Sequence, residues 1–413
     1  MKSSQIELLR ENIRQAYLNF PFYRKIFKQY HIDVNNDPLI NLRRLPILSS
    51  RDYYKLGTEC LSIFGGKIFL IDSSAGSTGR MKKRVITIKD EITETEQAKR
   101  VLTYCNLTSN DSLLIADIWF PNMYPLFVKA SRILGLRNVY GLGIRSGNQE
   151  MIKEILQFNS SVLITIPSVF RRVFDIGPRT QERPKKTKLK KIIFFGETTP
   201  QNFLDAIKMK LHVEVFNYYG TTEIGSLGVE CYRHDGMHVF EDMFYIDLVS
   251  KRVVEKNIVE GELLVTTLAM EGQPLFKYRV GDVVRLNQNP CGCKDQNVRL
   301  KIIGRTDDMV TILGTKCFLA QFDEAIFSAM KSAEPYELMI FDRGNRQILR
   351  FGLDKKFRRY EGAIVENITK LANLDLYLKS NYIKIEFRYD DFGNLPKRKL
   401  RKFIDERQLA NNV

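Results

Sequence analysis

The chain has 413 residues, 44% hydrophobic and 11% aromatic, enough to bury substantial cores in two or three domains of ordinary size. Its 64 Lys and Arg against 48 Asp and Glu give a net charge of +16, which suits polyanionic partners without choosing among them. No apolar run reaches membrane-span length, the opening Met1-Lys2-Ser3-Ser4-Gln5 has no signal-like apolar core, and six cysteines in so long a chain are not a disulfide framework. A reducing, cytoplasmic setting is expected. The basic runs at 183–191 and 397–402 read as solvated faces, because no zinc-finger, RNA-recognition or helix-turn-helix signature accompanies them. Neither a nucleic acid nor a membrane is expected as a partner.

Residues 5–19 carry Ile6, Leu8, Leu9, Ile13, Ala16 and Tyr17 at helical spacing, with Ser4 and Glu7 placed for a capping box and Pro21 as the stop. Two stretches, 21–27 and 45–52, read as packing and loop chemistry. Next comes Ser73-Ser74-Ala75-Gly76-Ser77-Thr78-Gly79-Arg80-Met81-Lys82-Lys83, between an apolar strand (67–72) and an alternating one (84–88). A Walker loop needs G-x-x-x-x-G-K-[ST] opening a helix, and the dinucleotide fingerprint also needs a helix; neither is offered here. What remains is a turn whose glycines admit backbone N–H groups to an anion, whose hydroxyls donate, and whose lysine adds charge, or else an ordinary Ser/Gly hairpin turn.

After a helix at 92–102 the chain alternates. Strands are expected at 113–118, 139–142, 162–166, 191–195 and 213–217, with helices at 124–134, 149–158, 168–174 and 202–211 between them. That is the pattern of a parallel α/β sheet, which binds ligands beyond the carboxyl ends of its strands. Gly196-Glu197 and Tyr218-Tyr219-Gly220-Thr221-Thr222-Glu223 are expected at those ends, sharing a crevice with the glycine loop. From about residue 241 the pattern turns β-rich, through 244–249, 261–267 and 278–282. A boundary is expected near 304–308, followed by strands at 337–341, 348–353 and 382–389.

The ordered set PFYRKIF (21–27), LPILSSRD (45–52), SAGSTG (74–79), FFGE (194–197), YYGTTE (218–223), GMHVFED (236–242), GELLVTT (261–267), YRVGD (278–282) and GRTDDM (304–309) resembles the adenylate-forming (acyl-CoA synthetase) superfamily. Within it the chain is similar to the phenylacetate-CoA ligase branch, over nearly its whole length. The resemblance implies a large N-terminal α/β domain of parallel or mixed sheets with a β-rich sub-structure (1–306) and a small mobile α+β lid domain (307–413). It implies an AMP-forming acid–thiol ligase: a carboxylate and ATP-magnesium give an acyl-adenylate, whose acyl group passes to a thiol, usually that of CoA.

By that resemblance Ser74, Gly76, Ser77, Thr78, Gly79 and Lys82 hold the leaving phosphates, and Thr222 and Glu223 belong to the catalytic set, Glu223 as the magnesium ligand. Tyr219 lies against the adenine, with Gly196 and Glu197 on its other side and Gly220 and Thr221 beside it. Asp282 binds the ribose hydroxyls, Arg305 the ribose or phosphate, and Gly314 lies along the CoA pantetheine. Asp307 is the hinge. Alignment backwards from Phe403-Ile404-Asp405 makes Lys399 the adenylation lysine, with Lys397 its rival because the segment after Pro396 is shorter than usual. Met81 stands where proline is common, and Ala75 where serine is.

Cys231, His238, Cys291 and Cys293 form a second constellation, read either as a tetrahedral zinc site or as reduced cysteines with a capping histidine. Trp119, Phe120, Tyr124 and Tyr140 are candidates for an acyl pocket or for plain core. The acceptor could also be the phosphopantetheine of an acidic carrier protein, or an amine; a non-catalytic nucleotide-binding relic and a homodimer remain open.

Overall fold

The computed structural model describes residues 3–74, 82–117, 123–143, 157–167, 169–170, 188–197, 199–293, 295–313, 315–332, 334–344, 346–371, 374–390 and 401–409. Two compact units divide the chain. The first takes residues 1–166, 188–196 and 216–302, the second 167–187, 197–215 and 303–413.

In the first unit, helices α1 (Ser3–Asn19), α2 (Pro21–Gln29), α3 (Pro38–Arg44) and α4 (Ser50–Phe64) lead in. α1 buries Leu9, Ile13 and Ala16, the stripe the spacing predicts, but it begins at Ser3, so Ser4 lies inside it and is not the cap expected of it. Asn12 Nδ2 donates to the Thr267 carbonyl at 2.7 Å, and the buried Tyr23 hydroxyl donates to that of Pro274 at 2.5 Å, so the leading helices are fastened to the β-rich segment. The segment after α3 adds a bridge, Leu48 N–H donating to Lys277 O at 3.1 Å and Arg279 N–H to Leu48 O at 2.9 Å.

The glycine loop lies between β1 (Ile68–Ser74) and β2 (Lys82–Thr87), an antiparallel hairpin closing at the pair Ser74 with Lys82. Strand joins strand, as expected. Helix α5 (Ile88–Tyr104) follows at once, capped by Thr87, whose hydroxyl accepts from Asp90 N–H while the Asp90 carboxylate accepts from Thr87 N–H at 3.1 Å. Asp90 also accepts from Glu271 and Gly272 N–H at 2.8 and 3.0 Å, so one carboxylate caps a helix and pins a distant loop.

Four strands, β3 (Ser112–Asp117), β4 (Asn138–Gly143), β5 (Val162–Thr165) and β6 (Lys191–Phe194), are parallel in the order β4-β3-β5-β6. Helix α6 (Met123–Ile133) joins β3 to β4. The helices expected at 149–158 and 168–174 fall mostly outside the described residues. Beyond β6 the sheet changes sense through β7 (Glu214–Thr221), β8 (Gly225–Glu230) and β9 (Met237–Val239), antiparallel neighbours. It continues through β13 (Arg299–Arg305), β12 (Tyr278–Asn287), β11 (Ile258–Thr267) and β10 (Phe244–Glu255), eleven strands in all.

In the second unit α7 (Gln201–Leu211) has its first N–H held by Glu324 at 3.0 Å. The short hairpin β14 (Met309–Ile312) and β15 (Thr315–Phe318) leads to α8 (Leu319–Met330). The four-stranded sheet that follows has the order β18-β17-β16-β19, from β16 (Tyr336–Arg343), β17 (Arg346–Leu353), β18 (Ile383–Tyr389) and β19 (Arg401–Asp405). Helices α9 (Glu361–Thr369) and α10 (Leu374–Lys379) contribute buried Ile364, Ile368 and Leu374.

Candidate functional site

The motif Tyr218–Glu223 was expected to follow a strand. Instead β7 runs on through Thr221, because Tyr218 and Tyr219 are both apolar enough to be buried and the backbone pairs with β8. Only Thr222, Glu223 and Ile224 form the turn, closed by the pair Thr221 with Gly225. Gly220 is obligatory in this geometry, since a Cβ there would sit 2.4 Å from the Gly225 carbonyl oxygen.

Glu223 is presented at the tip of that turn, where its Oε1 accepts from the buried Tyr278 hydroxyl at 3.0 Å. Tyr219, 7% exposed, donates its hydroxyl to Oδ2 of Asp282, 5% exposed. β7 and β12 are separated by three strands in the sheet, a distance of about 19 Å on a flat sheet at ~4.8 Å per strand. Two side-chain bonds therefore span a strongly curled surface, and Tyr219, Gly220, Thr221, Thr222, Glu223 and Asp282 are brought to one place. The Thr221 hydroxyl is buried without a hydrogen-bond partner among the described residues.

The hairpin that carries the glycine loop is tied to the same turn. Arg84 of β2, 4% exposed, reaches Glu94 of α5 with Nη2 2.6 Å from Oε1 and Nη1 3.4 Å from Oε2. Burial alone favours neutral arginine, but Glu94, with Asp90 and Asp72 beyond it, holds the charge. One turn along α5, Gln97 Oε1 accepts from Ser226 N–H at 2.9 Å. Sequence reasoning missed Arg84, Glu94 and Gln97. The available signal was an arginine inside a strand whose Val85 and Ile86 are both buried, so that neither face was solvent.

Gly76, Ser77, Thr78, Gly79, Gly314, Lys397, Lys399, Trp119 and Phe120 lie outside the described residues, and of Ser74 and Lys82 only the backbone is described. Gly196, two residues past the end of β6, has φ +75°. Beside it Phe195 stacks on Tyr218 (5.3 Å between centroids, 19°), the Tyr218 hydroxyl lies 2.9 Å from Met123 Sδ, and Phe127 packs at 5.8 Å. Tyr124 covers Gly141, where a Cβ would lie 2.2 Å from the ring, and Tyr140 stacks on Phe158 at 4.7 Å. This aromatic wall of Phe195, Tyr218 and Phe127, with Met123, packs past the carboxyl ends of β3 and β6, whereas Tyr140 stacks on Phe158 from the middle of β4. Glu197, Arg305 and Asp307 belong to the second unit, where Arg305 Nε donates to Asp307 Oδ1 at 2.8 Å.

The cysteine–histidine constellation does assemble. The ligand atoms of Cys231, His238, Cys291 and Cys293 all lie within 4.8 Å of one another. Cys231 and Cys291 sulfurs are 3.7 Å apart, and Cys293 Sγ is 3.4 Å from His238 Nε2. Tetrahedral zinc, with bonds of about 2.3 Å to sulfur and 2.0 Å to nitrogen, sets those edges at about 3.8 and 3.5 Å. Asp295, which accepts from the Tyr104 hydroxyl, lies 3.4 Å from Nδ1 of His238, close enough for its charge to act on the ring, although Nδ1 makes no hydrogen bond among the described residues. Burial holds the His238 imidazole below its ordinary pKa and pushes the Cys231 thiol up to about 12.

No family model matches the chain. The phenylacetate-coenzyme A ligase of Aromatoleum evansii is 30% identical over 368 residues, 84% of this chain and 80% of that protein. That of Pseudomonas putida is 28% identical over the same shares. Among solved structures, 2-hydroxyisobutyryl-CoA ligase in its postadenylation state with 2-HIB-AMP superposes with a TM-score of 0.76 at 17% identity, covering 99% of this chain and 90% of that one. ATP-bound MatB from Rhodopseudomonas palustris gives 0.56 at 15% identity, covering 84% and 68%.

Proposed function

The chain belongs to the phenylacetate-coenzyme A ligase family of adenylate-forming enzymes, and from that premise we propose that it converts an aryl carboxylic acid and ATP to an acyl-adenylate and pyrophosphate, then to an acyl-CoA thioester. The observation that carries this reading is the convergence of Tyr219, the Thr222–Glu223 turn and Asp282 on the hairpin that bears the glycine loop.

A carboxylate approaching an α-phosphate meets a repulsion of about 4 kcal/mol at 4 Å for an effective dielectric of 20, so the site must supply compensating charge and donors. The backbone N–H groups and hydroxyls of the loop 74–79, with Lys82, are the donors for the leaving phosphates. Lys399 supplies the remaining cation, Lys397 being its rival. Glu223 offers hard carboxylate oxygens, one steadied by Tyr278, beside the orphaned Thr221 hydroxyl, and this donor set fits magnesium. Magnesium, when bound, neutralises phosphate charge and polarises the reacting phosphorus. Asp282, an acceptor only, takes the ribose hydroxyls, and its bond from Tyr219 sets the tyrosine ring at the adenine position. Gly196, at φ +75°, turns its backbone beside the base, with Glu197 next in sequence. The aromatic wall of Phe195, Tyr218 and Phe127 favours an aryl acid.

The net charge of +16 suits CoA and an acidic carrier protein alike, and CoA is favoured by the relatives' names. Acid-dependent ATP–pyrophosphate exchange across a panel of carboxylic acids tests the first half-reaction, and thioester formation with CoA, a carrier protein or an amine tests the second. Exchange with an aryl acid followed by CoA thioester is the expected result. A protein that binds ATP but shows no pyrophosphate exchange with any acid of the panel sinks the ligase reading in favour of a nucleotide-binding relic.

Cys231, His238, Cys291 and Cys293 are, in the same reading, a closed structural zinc site: four protein ligands leave no open coordination position for chemistry.

A further inference from the structure

One buried polar set has no part in the chemistry above. Arg84 and Glu94 form an ion pair with side chains 5% and 2% exposed, and Gln97, 1% exposed, lies one helical turn further along α5. Both Arg84 and Gln97 close on the same point: a Cβ on Gly225 would lie 2.6 Å from Gln97 Oε1 and 3.5 Å from Arg84 Nη2. Gly225, at φ +74°, closes the turn that presents Glu223. Gln97 Oε1 is fixed on Ser226 N–H, whereas its Nε2 is buried with no partner among the described residues. An apolar side chain of similar size would pack here without stranding an amide, so the retained feature is the acceptor on Ser226.

We propose that Gln97, seated beside the Arg84–Glu94 pair, is a positioning residue: it locks the start of β8 to the β2–α5 unit and so fixes the spacing between β2, the strand that leads out of the glycine loop, and the Glu223 carboxylate. The inference rests on the ligase reading, in which that loop holds phosphates and Glu223 holds magnesium. A loop and a carboxylate that must grip one magnesium–triphosphate gain from being fastened together before it arrives.

The test is magnesium-dependent binding of a fluorescent methylanthraniloyl-ATP to the full-length protein, which needs no turnover. Gln97→Leu is expected to raise the magnesium concentration for half-maximal binding by at least about fivefold, while Gln97→Glu, which keeps an oxygen for Ser226 N–H, stays within about twofold of wild type. Gly225→Ala, whose Cβ would strike Gln97, is expected to shift as Gln97→Leu does, and it carries the test if the leucine variant fails to fold by near-ultraviolet circular dichroism. A folded Gln97→Leu or Gly225→Ala protein with wild-type magnesium dependence overturns the proposal, as does Gln97→Glu shifting as far as leucine. Wild-type protein that binds no nucleotide at any magnesium concentration overturns the ligase reading itself, and this inference with it.

Discussion

At the scale of single residues, the site depends on a few polar atoms whose partners are other site residues. Asp282 accepts from Tyr219, and in the proposed reading the same carboxylate takes the ribose hydroxyls. Replacing a charge-assisted acceptor by an amide forfeits about 1.5–3 kcal/mol. Asp282→Asn is therefore expected to raise KM for ATP by roughly ten- to a hundredfold in the exchange assay with a smaller change in kcat. An unchanged KM would move the ribose elsewhere. For the lysines, Lys399→Ala is expected to cost roughly 3–4 kcal/mol in the adenylation barrier, the scale of losing one preorganised donor, with Lys397→Ala near wild type. The reverse ranking in pyrophosphate exchange would transfer the role to Lys397.

At the scale of elements, what matters is how strand ends are held, because the site lies beyond them. Asp111 does this at the opposite end of the parallel sheet, accepting from Ser161 Oγ at 2.8 Å and Thr108 N–H at 2.9 Å, while Ser112 and Ser161 exchange backbone-to-hydroxyl bonds at 3.0 Å. Burial by itself would raise its pKa, but the Thr108 and Ser161 donors outweigh burial and hold it below the usual aspartate value. The sign follows: folding favours the ionised form, so the contribution is complete above the unfolded pKa near 4 and is lost as pH falls through the lower folded value. Asp111→Asn should be less stable than wild type by about 1 kcal/mol at pH 7, the gap shrinking below pH 4. Denaturant midpoints at pH 7 and pH 3 measure it, and a gap that grows on acidification would contradict the assignment.

On the scale of the whole molecule, the Cys231–His238–Cys291–Cys293 group pins the connection between β12 and β13 to the β8–β9 hairpin. Arg299, bonded to Asp235 at 2.8 Å and to the Asn289 carbonyl at 2.9 Å, clamps the same junction. Purified protein is expected to contain one zinc per chain by elemental analysis, and stripping it with a strong chelator should lower the thermal midpoint by several degrees, since ~1 kcal/mol corresponds to 2–4 °C in a large domain. Zinc-free protein of undiminished stability would leave three reduced cysteines beside a histidine and no metal.

The amino-acid sequence alone determined most of the element order. Periodicity located α1, α6 and α7 and strands β3 to β6 to within a residue or two, because all but the half-exposed edge strand β4 bury a regular stripe or run that local spacing reveals. The ordered motifs likewise identify the family without reference to the fold. Only the tertiary structure decided that Tyr219 meets Asp282 across three intervening strands, that β7 continues through Tyr218–Thr221, and that Arg84, Glu94 and Gln97 lie beneath the Glu223 turn. The reason is physical: local spacing fixes which face a side chain takes on its own element. Which distant side chain it meets is set by the curl and register of an eleven-stranded sheet, a sum over many long-range contacts that no short window of sequence contains.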